Sequence, residues 1–159
     1  MSDYTFLTQW HFDAPLADVW DLLYHPVNWP GWWKAVVAVE EVASGDARGI
    51  GSIKRFTWRG ALPYKLTFNM ETTELKHHRI IAGKASGELE GTGRWTLAEA
   101  EDGTQVTYVW QVNANKAWMR WLAPVARPAF RWNHDLVMRW GEEGMRRQLR
   151  FNKLTNTGV

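Results

Sequence analysis

The chain has no cysteine, which excludes disulfides, thiolate nucleophiles and cysteine-ligated metals, and is compatible with a cytoplasmic protein, the localisation expected here. It also lacks a long hydrophobic run. No stretch approaches the roughly 18 apolar residues of a membrane span, and Met1-Ser2-Asp3-Tyr4 does not open a secretory leader. Charge of one sign is scarce too: 19 Lys and Arg face 17 Asp and Glu, leaving +2. Nucleic acid is therefore not expected as a partner. Among the five histidines, His11, His25, His77, His78 and His134, no HxxxH or HExxH spacing occurs. His77-His78 falls at a turn, where adjacent side chains are expected to diverge, so no metal is expected. Gly49-Ile50-Gly51 and Gly91-Thr92-Gly93 are too short to hold a nucleotide, and no GxSxG or P-loop pattern appears; no cofactor is expected.

What the chain does hold is tryptophan, 12 in 159 residues, within a hydrophobic content of 45%. Indole is large, rigid and apolar with one donor, a side chain suited to core walls, ligand cavities and membrane interfaces. The length fits one domain, taken as 1–154, with a flexible tail at 155–159.

Taken in order, Tyr4 to Phe12 alternates with Phe6, Thr8, Trp10 and Phe12 on one face, a strand. Asp13 is placed to cap a short helix opened by Ala14-Pro15, with Leu16, Val19, Trp20 and Leu23 at helical spacing and Pro26 ending it. A second short helix or turn follows at Asn28 to Trp33. Strands are then predicted at Lys34–Ala43, Gly51–Trp58, Leu62–Glu71, Arg79–Ser86, Glu88–Ala98 and Thr104–Asn113, the last two joined by the hairpin turn Glu101-Asp102-Gly103. Lys116 to Ala123 reads as a helical lead-in interrupted by Pro124 and Pro128.

The final segment, Phe130 to Lys153, is one amphipathic helix. Its charged side chains lie on one side, and Phe130, His134, Val137, Met138, Gly141, Gly144, Met145, Gln148 and Leu149 on the other. The two glycines each cost roughly 1 kcal/mol relative to Ala, so they mark either close contact with a strand or space left for a ligand. A curved antiparallel sheet with one face to cover and a helix with one apolar face complement each other, giving an α+β fold.

This order, together with Ala14-Pro15-Leu16-Ala17-Asp18-Val19-Trp20, Trp32-Trp33, Gly60-Ala61-Leu62-Pro63-Tyr64, Gly87-Glu88-Leu89-Glu90-Gly91 and Trp132-Asn133-His134-Asp135-Leu136-Val137-Met138, resembles the START-like or SRPBCC superfamily. Within it the chain is similar to the bacterial branch termed polyketide cyclase or dehydrase-like. The resemblance implies the helix-grip fold: a curved seven-stranded antiparallel sheet wrapped around a long C-terminal helix, with two short helices after the first strand. It also implies an apolar cavity between them for a lipid, isoprenoid or quinone, or polyketide.

Three functions follow as expectations. The first is binding, transport or presentation of a hydrophobic small molecule, in walls formed by Trp10, Phe12, Trp33, Leu66, Phe68, Trp95 and Trp110 with His134, Met138, Gly141 and Met145. The second is an enzyme of the cyclase, aromatase or dehydrase type, with His134 and Tyr64 as candidate catalytic groups; Asp135, 100° round the helix, is poorly placed to orient His134. The third is a protein-interaction domain without a ligand. Trp118, Trp121 and Arg127, in a segment that interleaves indole with guanidinium, are expected either to meet a membrane surface or to pack beneath the sheet edge. Arg55, Arg59 and Arg94 are expected on the solvated surface, and Arg94 outward if Trp95 faces in.

Overall fold

The computed structural model describes residues 4–157. Strand β1 (Tyr4–Phe12) is followed by helix α1 (Leu16–Tyr24) and a 3-10 turn (Pro26–Gly31). Six further strands come next: β2 (Val36–Ala43), β3 (Ile53–Trp58), β4 (Leu66–Lys76), β5 (Ile80–Gly87), β6 (Leu89–Ala100) and β7 (Gly103–Ala114). The long helix α2 (Ala117–Thr157) ends the described chain. All neighbouring strands pair antiparallel in one seven-stranded sheet ordered β1-β7-β6-β5-β4-β3-β2.

That order sets the architecture. β1 pairs with the last strand, Tyr4 opposite Val112 and Phe12 opposite Thr104, whereas β2 lies at the far edge of the sheet. α1 and the 3-10 turn therefore carry the chain from one edge to the other across one end. Strand alternation decides what faces inward: Tyr4, Trp10 and Phe12 are buried while Leu7 is exposed, and Leu89, Trp95 and Leu97 are buried while Arg94 reaches outside to Glu74 at 2.8 Å. The edge strand β2 is broken by register shifts at Val36/Ala38 and Glu41/Ala43, which discourage pairing with another chain.

Several boundaries differ from the sequence reading. Pro15, without a side-chain hydrogen bond, stands at the N-cap of α1 where Asp13 was expected. β4 begins at Leu66, because residues 60–65 are held as a loop by Asn133, whose Oδ1 accepts the Ala61 and Leu62 N–H groups at 2.8 and 3.2 Å. α2 starts at Ala117 and passes through Pro124 and Pro128. Both prolines lie on exposed turns, where water can satisfy the carbonyls left without a donor. Helix continues over residues 155–157, placed in a flexible tail by the sequence; residues 158 and 159 lie outside the described part. The His77 and His78 rings do not diverge but stack, centroids 3.7 Å apart, with His78 at φ 63.

The glycines of α2 turn out to serve close contact, though not with a strand. A Cβ on Gly141 would run into the Trp33 indole, and one on Gly144 into the Trp32 carbonyl. The segment after the 3-10 turn is thus pressed against the helix, and Trp33 Nε1 donates to the Val137 carbonyl at 2.8 Å.

Candidate functional site

Sheet and helix do not close completely on one another. Between them lies a cavity of about 470 Å³, within the roughly 300–1,000 Å³ usual for small-molecule sites. One mouth is edged by Tyr24, His25 and Val27 at and after the end of α1, by Ser44 and Gly49 of the loop between β2 and β3, and by Lys54 of β3; the lining also includes Tyr64, Met119 and Phe130.

The wall is largely indole and phenyl. Trp29 sits at its centre, with ring centroids 5.1 Å from Trp33, 5.6 Å from Phe56 and 6.2 Å from Trp58 and Trp95. Trp33 meets Trp58 at 4.9 Å nearly edge-on. Such tilted contacts build a stiff wall that keeps its shape when empty. Trp29 and Trp33 are fixed further by donating their Nε1–H groups to the Leu22 and Val137 carbonyls at 2.9 and 2.8 Å.

Of the residues proposed from sequence, Trp33, Leu66, Phe68, Trp95, Trp110, His134 and Met138 line this cavity, as does Tyr64. Trp10, Phe12, Gly141 and Met145 do not. They belong to the solid core at the closed end, where Trp10 packs on Trp33 and Trp95 at 5.5 and 5.3 Å, and Phe12 and Met145 are fully buried. Alternation and helical phase give the inward face but not the depth at which packing ends and open space begins.

The lining holds the charged side chains Glu41, Lys54 and Glu71, whereas the polar groups set among the aromatic rings, His134, Tyr64, Trp58 and Tyr108, are uncharged at neutral pH. The His134 ring stacks on Phe6, centroids 3.7 Å apart, and its Nδ1 is buried without a hydrogen-bond partner; the Asp135 carboxylate lies 3.7 Å away, too far to bond it. Burial lowers its pKa to about 4 against the pull of Asp135, so the imidazole is uncharged at neutral pH. Tyr64 is held by Asn133, whose Nδ2 donates to the phenol oxygen at 3.2 Å, and burial raises its pKa. Trp58 Nε1–H is buried with no acceptor. Tyr108 stacks on Trp95 at 4.0 Å, and its hydroxyl has no hydrogen-bond partner among the described residues; burial pushes the phenol well above its ordinary range. Lys54, at the mouth, donates to Ser52 Oγ at 2.9 Å.

Sequence reasoning missed Trp29, Trp58, Tyr108 and Asn133 as site residues. For Tyr108 a signal existed, since alternation places it beside Trp110 on the inward face. For Trp29, inside an irregular turn, no period could point the ring inward. Among the described residues no cluster of three or more metal-ligating side chains occurs, and no helix is long and apolar enough to cross a membrane.

A family model described as polyketide cyclase/dehydrase and lipid transport matches residues 5–149. Solved structures extend the likeness at the level of fold. The Zhui aromatase/cyclase from Streptomyces sp. R1128 superposes with a TM-score of 0.79 at 15% identity, covering 98% of this chain and 99% of that one. The protein TTHA0849 from Thermus thermophilus gives 0.71 at 17% identity over 89% of this chain and 97% of that one. The di-domain aromatase/cyclase BexL of the BE-7585A biosynthetic pathway gives 0.65 at 21% identity, covering 89% of this chain and 50% of the larger protein. No curated protein matches the sequence.

Proposed function

This chain belongs to the polyketide cyclase/dehydrase and lipid transport family, and on that premise we propose that it binds, and carries or presents, a hydrophobic small molecule bearing hydrogen-bonding oxygen atoms. One observation carries the reading. In a cavity of about 470 Å³ walled by indoles, Trp58 Nε1–H and His134 Nδ1 are buried without hydrogen-bond partners. An orphaned buried polar group costs about 1–3 kcal/mol, and a ligand that supplies the missing partner recovers that energy on binding. Ring systems substituted with carbonyl or hydroxyl groups fit this chemistry, because their faces match the indole wall and their oxygens reach the orphaned groups. Burying about 300 Å² of apolar ligand surface would supply roughly 7 kcal/mol before the costs of association.

Native mass spectrometry of freshly purified protein, with denaturing release of any companion, tests the reading. A bound oxygenated hydrophobe that is lost from Val112→Phe, a substitution that fills the cavity from β7, is the expected result. Uptake unchanged in Val112→Phe would rule the cavity out as its site.

A second reading is an enzyme of the cyclase, aromatase or dehydrase type. It is favoured by two titratable side chains that line the cavity, Tyr64 from the loop before β4 and His134 from α2. With a pKa of about 4, His134 is a weak base at neutral pH, better suited to orienting an oxygen than to removing a proton from carbon. Turnover of a released companion that survives both Tyr64→Phe and His134→Leu would remove these groups from any catalytic role.

A further inference from the structure

The first turns of α2 have an unusual outer face. Trp121 is 81% exposed, Val125 80%, Trp132 54% and Trp118 41%. At 100° per residue these four side chains fall within about 60° of arc, a continuous apolar ridge that also carries exposed Pro128. Four guanidinium groups belong to the same stretch: Arg120, Arg127 and Arg131 along one flank and Arg139 in line with the ridge. None of the four has a carboxylate within ion-pair distance among the described residues; Arg127 and Arg131 instead lie over the Tyr4 ring at 5.4 and 5.8 Å. From Lys116 to Arg139 there are five basic side chains and the single acid Asp135, while the whole chain has only 19 basic against 17 acidic, so the remainder is net acidic. The underside of the same stretch roofs one end of the cavity through Met119 and Phe130, both buried.

We propose that this ridge is a docking surface for an anionic lipid bilayer. Indole and valine side chains seat at the boundary between headgroups and acyl chains, and the unpaired guanidiniums meet lipid phosphates. A convex ridge needs no complementary groove in its partner, which suits a deformable lipid surface. Two copies meeting face to face would set guanidinium against guanidinium, which argues against self-association. The inference does not depend on what the cavity holds. It places the cavity's roof against the membrane, so that an apolar molecule could pass between bilayer and cavity without crossing water.

Flotation of the purified full chain with vesicles of phosphatidylcholine alone, and of phosphatidylcholine mixed with phosphatidylglycerol, tests it. The expected result is at least about tenfold more protein recovered with the anionic vesicles, falling as salt is raised. The double variants Trp121→Ser/Val125→Ser and Arg120→Gln/Arg139→Gln, which alter exposed side chains outside the cavity wall, should each lose about tenfold or more of that recovery. Phe151→Ser/Leu154→Ser, which removes exposed apolar groups at the other end of the helix, should float as the parent does. Absence of recovery with anionic vesicles, recovery unchanged by the first double variant, or a vesicle-independent oligomer or protein complex abolished by it without any flotation would each overturn the proposal.

Discussion

Protonating His134 means charging a buried ring stacked on Phe6, with no hydrogen bond at Nδ1 and only the Asp135 carboxylate, 3.7 Å away, to offset the loss of water. Its folded-state pKa of about 4 lies below the ordinary 6.5. Between these values the unfolded chain binds a proton that the folded one refuses, so stability is full above about pH 6.5 and declines as pH falls towards 4. A shift of this size corresponds to about 3 kcal/mol. Urea unfolding of His134→Leu at pH 7 and pH 4.5 should show that part of the acid sensitivity removed; an unchanged difference between the two pH values would show that other groups carry it. Asn133 acts on its neighbours in another way, because one amide holds the Ala61 and Leu62 N–H groups and the Tyr64 phenol. Asn133→Ala should cost about 2–4 kcal/mol in the same assay and raise hydrogen exchange at residues 60–64. The helical phase of His134 was readable in the sequence. Asn133 lies on the same face, yet its role depends on a loop some 70 residues away in the chain, which no local pattern encodes.

At the level of elements, α2 is where local rules and tertiary structure diverge most. The proline rule ended the helix before Phe130, whereas burial of Met119 and the Tyr64–Trp118 contact at 5.3 Å hold the earlier turns in place. The pattern of Gly141 and Gly144 left contact with a strand and space for a ligand as the two alternatives, and neither fills the space. It is Trp33 and Trp32 that do so. Gly141→Ala should destabilise the protein by about 1–3 kcal/mol, because the Trp33 ring must leave its position and weaken its bond to Val137. Thermal melting of Gly141→Ala, Trp33→Phe and the double variant checks this: the two losses should not add, since the smaller ring relieves the clash. Strand periods were legible throughout because one face of the sheet is buried and the other largely solvated. β4 began late only because Asn133 captures the residues before it.

For the whole molecule, the sheet order makes the cavity possible. β1 and β2 lie at opposite edges although they are neighbours among the strands in sequence, so α1 and the 3-10 turn must close one end, and they bring Trp29 and Trp33 into the wall as they cross. The order of elements pointed to one curved antiparallel sheet covered by a helix, and the family resemblance carried on Trp32-Trp33 and Trp132 to Met138 implied the helix-grip arrangement that the structure has. The wall's composition was less legible, because it depends on how far the sheet bends. A ligand present at about a hundred times its Kd should raise the melting temperature by about 5–10 °C, and Val112→Phe should abolish that rise. Because the indoles hold each other apart, the cavity is volume that the folded chain occupies and the unfolded chain does not. Hydrostatic pressure favours the smaller system. The empty protein should therefore unfold at lower pressure than the same protein with its cavity filled, making compression a measure of occupancy that needs no knowledge of the occupant.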